Sequence, residues 1–335
     1  MKTWKKAGLT ALAGSLVATS AFAGAVTVSG TANLTYTAND GAQDYNTASN
    51  QTSTDGNRWG MNKSLSFSGS GELDNGWTVS VSQTLANGAS TGIGMTLDMG
   101  DMGSLNYEGD TGARGIGKIK DMMPTADEDV GNGIDVDGTA NTTGGLSGTV
   151  SGGTQGFHYS KAMDMIEVGI GYGPKGQTGS AQGGNNGAGG GASSSSAFIK
   201  VDPMDGLEIG LGVGEKQSAT GGQVDDHDTV YITYVYGNLT VGYQQSNVDT
   251  YGTTADDEQT RWGLLYAVND EISVSYQDHT NEDSTTSTDE EAKGYSASYT
   301  SGGITYKIHR NSADNVGNAT AKESQHTEIG VTFAF

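Results

Sequence analysis

The chain closes on Thr327-Glu-Ile-Gly-Val-Thr-Phe-Ala-Phe335, which alternates apolar with small or polar residues and stops on an aromatic carboxyl terminus. Ile329, Val331, Phe333 and Phe335 share one face of a strand; Glu328, Gly330, Thr332 and Ala334 share the other. A soluble domain rarely ends this way, because the strand would leave an unpaired hydrophobic edge. A barrel closed in a lipid bilayer has a use for it. The last strand pairs with the first and turns its apolar face to lipid.

The other end agrees. Lys2, Lys5 and Lys6 precede an apolar run from Ala7 to Phe22, and Ala21-Phe22-Ala23 closes it. This reads as a secretory signal over residues 1–23, leaving 24–335 as the exported barrel. The run is short for a spanning helix, and no other segment approaches the ~18 apolar residues that one needs. Any membrane crossing is therefore expected to be by strands. Hydrophobic residues make up only 34% of the chain and the net charge is -22, a balance that in water would mark disorder. With no cysteine, no disulfide staples the fold. A barrel with a wet lumen reconciles these facts, since only its outer band has to be apolar.

Alternation predicts sixteen strands. From Val26 to Tyr36 the even positions are apolar or small and the odd ones are Thr, Ser or Asn. Trp59, Met61, Leu65 and Phe67 follow, then a turn at Asn75-Gly76, then Trp77, Val79, Val81 and Leu85. The same hairpin recurs from Ile93 to Tyr107, Phe157 to Tyr172, Ala197 to Val213, Val230 to Tyr243, Trp262 to Tyr276 and Tyr295 to Ile308. An even count puts both termini on the side of the short turns. Eight long segments are expected at the other rim, among them 37–58, 109–155, 173–196, 214–228, 245–260, 278–293 and 311–326. Short periplasmic turns and long extracellular loops are the outer-membrane pattern, and sixteen strands enclose an aqueous channel.

Aromatic residues cluster at both strand ends. Phe67, Trp77, Tyr234, Tyr236, Tyr266, Tyr299, Phe333 and Phe335 lie near the turns; Tyr36, Trp59, Tyr172, Tyr243, Trp262, Tyr276 and Tyr295 lie near the loops. Two belts are what bilayer interfaces select. Lys63 breaks the outward apolar phase. It sits near an interface or faces something other than lipid, and the small outward residues Gly30, Ala32, Gly69 and Gly71 nearby would admit a neighbouring subunit.

The stretch Leu65-Ser-Phe-Ser-Gly-Ser-Gly-Glu-Leu-Asp-Asn-Gly-Trp-Thr-Val-Ser-Val-Ser-Gln83 resembles the second hairpin of Gram-negative general porins, in particular the alphaproteobacterial, Rhodobacter-type branch. Leu97-Asp-Met-Gly-Asp-Met-Gly-Ser-Leu105 and the terminal Phe335 resemble the same family. The resemblance implies a homotrimer of sixteen-stranded antiparallel barrels in the outer membrane, each pore narrowed by an inward-folded third loop. The Pro-Glu-Phe-Gly-Gly type signature of enteric porins is absent from that loop.

The third loop would be residues 109–155. It carries Asp121, Asp127, Glu128, Asp129, Asp135 and Asp137, with Arg114, Lys118 and Lys120 at its start. Inward strand phase assigns Asp98, Glu108, Glu167 and Glu208 to the wall, against Lys200, Lys307 and His309. Together these predict a water-filled, cation-preferring pore for small hydrophilic solutes, with no cofactor and no nucleic-acid partner. The acidic runs Asp225–Asp228, Asp256–Glu258 and Asp289–Glu291 suit Ca²⁺, or bridging to lipopolysaccharide through divalent ions. One rival is a solute-selective channel; a sugar path would want inward aromatics, of which Tyr231 is one. Another is an outer-membrane hydrolase, for which His279 near Asp278 and Glu282, and His326 after Ser324, are the candidates.

Overall fold

The computed structural model describes residues 26–40, 56–108, 114–134, 156–174, 193–217, 224–249, 256–284, 286–316, 318, 320 and 323–335. The signal segment lies outside them. In chain order the strands are β1 (Thr27–Asp40), β2 (Gly56–Glu72), β3 (Thr78–Ala86), β4 (Ala89–Asp98), β5 (Ser104–Glu108) and β6 (Gly156–Met163). Then come β7 (Ile166–Gly173), β8 (Ser194–Met204), β9 (Leu207–Gln217), β10 (Val224–Tyr236) and β11 (Leu239–Asp249). The set ends with β12 (Asp256–Ala267), β13 (Ile272–Asp283), β14 (Glu290–Ser301), β15 (Ile304–Asp314) and β16 (Glu323–Ala334). All sixteen form one closed antiparallel barrel, in which each strand pairs with its sequence neighbours and β16 returns to β1.

The closing seam is the terminal segment. Leu34 opposes Val331 and Tyr36 opposes Ile329. Gly30 donates its N–H to the Phe335 carbonyl at 2.8 Å and accepts from the Phe335 N–H at 3.0 Å. Gly30 was expected to leave room for a neighbour, yet the chain fills that room itself. A Cβ at position 30 would stand 2.7 Å from the Phe335 ring and 2.9 Å from Leu65 Cδ2.

The molecule is inside out relative to a soluble protein. Leu211, Val213, Ile232, Leu264 and Ile329 are exposed on the outer face, whereas Gln244, Arg261, His279 and Asn311 are buried within. Trp262, Tyr276 and Tyr295 pack side by side with tilted rings on β12, β13 and β14, centroids 5.1 and 4.9 Å apart, as one segment of the loop-side belt. Tyr299 and Tyr306 mark the turn side at 6.1 Å.

Two expectations are corrected. The strands run well past the belt, into segments that read as loops: β10 begins at Val224 and β13 continues to Asp283. Beyond the lipid both faces of a strand meet water, so the period-two apolar signal stops while the backbone ladder goes on. Also, the connection between β3 and β4 is no long loop but a tight turn at Asn87-Gly88, with φ of 52° and 89°. Lys63 lies level with this turn. Its N–H donates to Asn87 Oδ1 at 3.1 Å and its carbonyl accepts the Asn87 N–H at 2.9 Å. Along β2 it lies midway between belt residues Trp59 and Phe67, opposite Ala32 of β1.

Candidate functional site

Residues 114–134, the described part of the third loop, lie inside the barrel against its own wall. The wall is cut away to receive them. A Cβ on inward Gly171 would stand 2.5 Å from the Gly115 nitrogen, one on Gly212 2.7 Å from Ile116, and one on Gly242 2.7 Å from Pro124. Inward side chains then stitch the loop backbone down. Gly115 N–H donates to His158 Nδ1 (3.1 Å) and Ile116 N–H to Ser196 Oγ (3.2 Å). Gln244 accepts from Met122 N–H (2.9 Å) and donates to the Ile119 carbonyl (2.9 Å). Gln277 accepts from Val130 N–H (2.7 Å), and Asn311 donates to the carbonyls of Asp129 (3.0 Å) and Asn132 (2.8 Å).

Two apolar clusters anchor the ends of this run. Ile116 and Ile119 pack with Phe198 and Tyr231; Val130 and Ile134 pack with Ala292, Ala313 and Val316. Tyr231 is therefore inward, but with 0% exposure and its hydroxyl donated to Glu208 at 2.6 Å it offers no face to a passing sugar.

Between the clusters the expected loop acids meet the expected wall bases. Lys307 lies 2.7 Å from Asp127 and 3.6 Å from Glu128, and His309 Nδ1 is 3.0 Å from Asp127. Asp121 lies 3.3 Å from Arg261, a wall partner the sequence did not suggest. Burial alone would raise the Asp127 carboxyl, but the hydrogen bonds and charges of His309 and Lys307 outweigh it and hold the group below its ordinary value. Asp129 goes the other way: burial, then the adjacent Asp121, push it up to about 7.

The remaining assigned residues lie elsewhere. Glu167, Lys200 and Glu208 come together on the wall, with Lys200 2.6 Å from Glu167 and 3.9 Å from Glu208. Asp98 accepts from the Gly100 N–H (2.9 Å) and so fastens the turn after β4, away from the loop. Glu108 ends β5, in register with Gly94 and Gly156. Asp135 and Asp137 lie outside the described residues.

Opposite the seated loop, the inward faces of β1 to β4 carry Asn33, Asn62, Ser64, Ser66, Ser82 and Thr96, all at least partly exposed. Among the described residues no hydrogen bond or ion pair joins them to the loop. Ser66 and Thr84 pair at 2.9 Å and Thr31 and Ser64 at 2.8 Å, with either partner able to donate, so the wall can re-pair with water or solute.

The hydrolase candidates do not assemble. Asp278 accepts the Tyr276 hydroxyl (2.9 Å) on the opposite face of β13 from His279, and His326 Nδ1 meets Asn39 at 2.6 Å. Asp228, Asp256, Asp257, Glu258, Asp283 and Asp289 line an acidic cavity of about 510 Å³ at the loop-side rim. Among the described residues no three acids or histidines are placed to hold a metal.

A family model described as Gram-negative porin matches residues 8–300. Among solved structures, a porin refined at 1.8 Å resembles the chain with a TM-score of 0.66 at 14% identity, over 93% of this chain and 100% of that one. An anion-selective porin from Comamonas acidovorans gives 0.63 at 13%, over 93% and 99%. In-vitro folded OmpT of Vibrio cholerae, in its trimer form, gives 0.64 at 12%, over 93% and 100%. Compared by sequence with characterised proteins, the chain has no match.

Proposed function

The chain belongs to the Gram-negative porin family, an outer-membrane β-barrel channel, and from that premise we propose that it passes small hydrophilic solutes and ions by diffusion, with a preference for cations. The observation that carries this reading is the loop sewn to one side of the lumen, facing exposed hydroxyl and amide side chains on the other. The chain's net charge of -22 supports the preference. So does Glu128, whose side chain is 43% exposed and whose Lys307 partner is shared with Asp127. Charge in a narrow passage between low-dielectric walls is only partly screened at a Debye length of ~8–10 Å. In a planar bilayer under a KCl gradient, the zero-current potential is expected to take the sign of potassium selectivity. A potential of the chloride sign would overturn the preference; no conductance at all would overturn the channel.

Two assembly readings go with it. We infer a homotrimer whose contact includes the first strands, where β3 and β5 are short (9 and 5 residues) and Val81 and Met95 are exposed. The loop-side rim, with Asp228, Glu258 and Glu282 above the aromatic belt, is read as meeting lipopolysaccharide through divalent ions. Both are tested on detergent-extracted protein, run unheated on gels with Mg²⁺ or chelator. A monomer band throughout sinks the trimer, and lipopolysaccharide retention that ignores the chelator sinks the ion bridge.

A further inference from the structure

We propose that the turn-side mouth of the barrel carries a binding site for small organic cations with an apolar body, built from Met165, Met204, Val235, Asp202 and Asp205. A cavity of about 700 Å³ lies where the β6–β7 turn, the β8–β9 turn and the end of β10 meet. Those five residues and Glu208 are in its lining, and no described residue of the seated loop is. The site needs only the turns, so it holds whether or not the barrel conducts.

Main chain ties the three segments together. The Asp202 N–H donates to the Met165 carbonyl and the Val235 N–H to the Gly206 carbonyl, both at 2.8 Å. The β8–β9 ladder shifts register between Val201 and Met204, the place where a bulged strand bends away from its partner. Gly206, at a φ of 78°, lies so close on β10 that a Cβ would stand 2.5 Å from the Val235 carbonyl oxygen.

Two features of the lining are poorly served by water alone. The first is apolar surface: Met165, Met204 and Val235 are 51%, 57% and 48% exposed. Val235 follows Tyr231 and Thr233 on the inward phase of β10, so it faces the lumen and not lipid. Covering such groups is favourable, and the flexible, polarizable thioether of methionine adapts to a varied partner. The second feature is charge. Asp202 and Asp205 are exposed, and among the described residues neither carboxylate takes a hydrogen bond or an ion pair. Glu208 differs: it accepts the Tyr231 hydroxyl at 2.6 Å and stands 3.9 Å from Lys200, which is 2.6 Å from Glu167. The base on this stretch of wall is thus taken up, and the two aspartates keep their charge uncompensated.

A bare metal ion does not fit, because among the described residues no three acids or histidines are placed to hold one. An ammonium at Asp202 and Asp205, with its ring or chain laid on Met165, Met204 and Val235, answers both features at once.

The test titrates the folded barrel, in detergent micelles, with benzylammonium and reads isotope-labelled methionine methyl groups by NMR. The Met165 and Met204 signals, identified through Met165→Leu and Met204→Leu, are expected to shift together and saturate. Met61 and Met95, exposed on the outer face, report partition into the micelle and should move without saturating. Ethanolammonium keeps the charge and lacks the ring, and should bind about ten-fold more weakly. Asp202→Asn and Asp205→Asn, at exposed turn positions, should each weaken benzylammonium roughly two- to five-fold. Shifts that never saturate, or that run equally at Met61 and Met95, reduce the effect to micelle partition and overturn the site. Saturation that is unchanged in the double aspartate variant, or matched by benzyl alcohol, overturns the cation as its ligand.

Discussion

Aspartate in place of Ile116 is expected to free the start of the inner loop and raise single-channel conductance and open-channel noise, with the barrel intact. Ile116 has 0% exposure and packs among Ile119, Phe198 and Tyr231, over the bare backbone of Gly212. A polar group forced into such a site without a partner costs about 3 kcal/mol or more, and an ionised one costs further. The bonds that would resist release, from Gly115 to His158 and from Ile116 to Ser196, stabilise by only ~1 kcal/mol each. A deficit of about 3 kcal/mol multiplies the unseated fraction by roughly two orders of magnitude. Ile116→Val, which costs ~0.5–1.5 kcal/mol, should leave conductance near its starting value. Unchanged conductance in Ile116→Asp, in a barrel that still migrates folded, would show that the apolar cluster is not what holds the loop.

Leu264→Arg is expected to lower the unfolding free energy by ~2–4 kcal/mol when measured by urea titration in lipid vesicles. Leu264 lies outward on β12 between Trp262 and Tyr266, two residues from each, and its neighbours across the ladder are Val241 and Tyr276. Arginine there meets the middle of the hydrocarbon. The same residue placed at Ser82, inward and exposed on β3, meets water and should change stability by less than about 1 kcal/mol. The pair of variants separates the two faces of one sheet. Equal losses from both would contradict the assignment of lipid to one side and water to the other.

The barrel was legible because lipid imposes a strict period. Val26 to Tyr36 and Glu328 to Phe335 alternate without interruption, and those are the strands that close the ring. Where lipid ends, the signal ended with it. The tops of β10 and β13 carry Asp226, Asp228 and Glu282 on the outward phase, indistinguishable by composition from loop. The inward fold of the third loop came only from family resemblance. Its fastenings went unread, because Gln244, Gln277 and Asn311 look like any lumen-facing polar residue until something lies on them. The inward glycines of Gly169-x-Gly171 and Gly210-x-Gly212 did carry a signal. A strand that repeatedly gives up its side chain on the water-facing phase is making room for something laid on it: here the Phe198 and Tyr231 rings, Ile116 and the backbone at Gly115. Asp127 and Lys307 were both named from sequence, but nothing in their separation along the chain says they touch. Asp121 and Arg261 were harder still, since Arg261 sits beside belt residue Trp262 and reads as an interface anchor.

The cut-away wall has a mechanical corollary. Because the loop rests on main chain at Gly171, Gly212 and Gly242, no wall side chain separates it from the barrel at those points. The bore of the sieve is then gauged by rigid hydrogen-bonded ladder on one flank and seated loop on the other. A lineage could narrow it in methyl-sized increments, by alanine under the loop, without touching a single charge that the solute encounters.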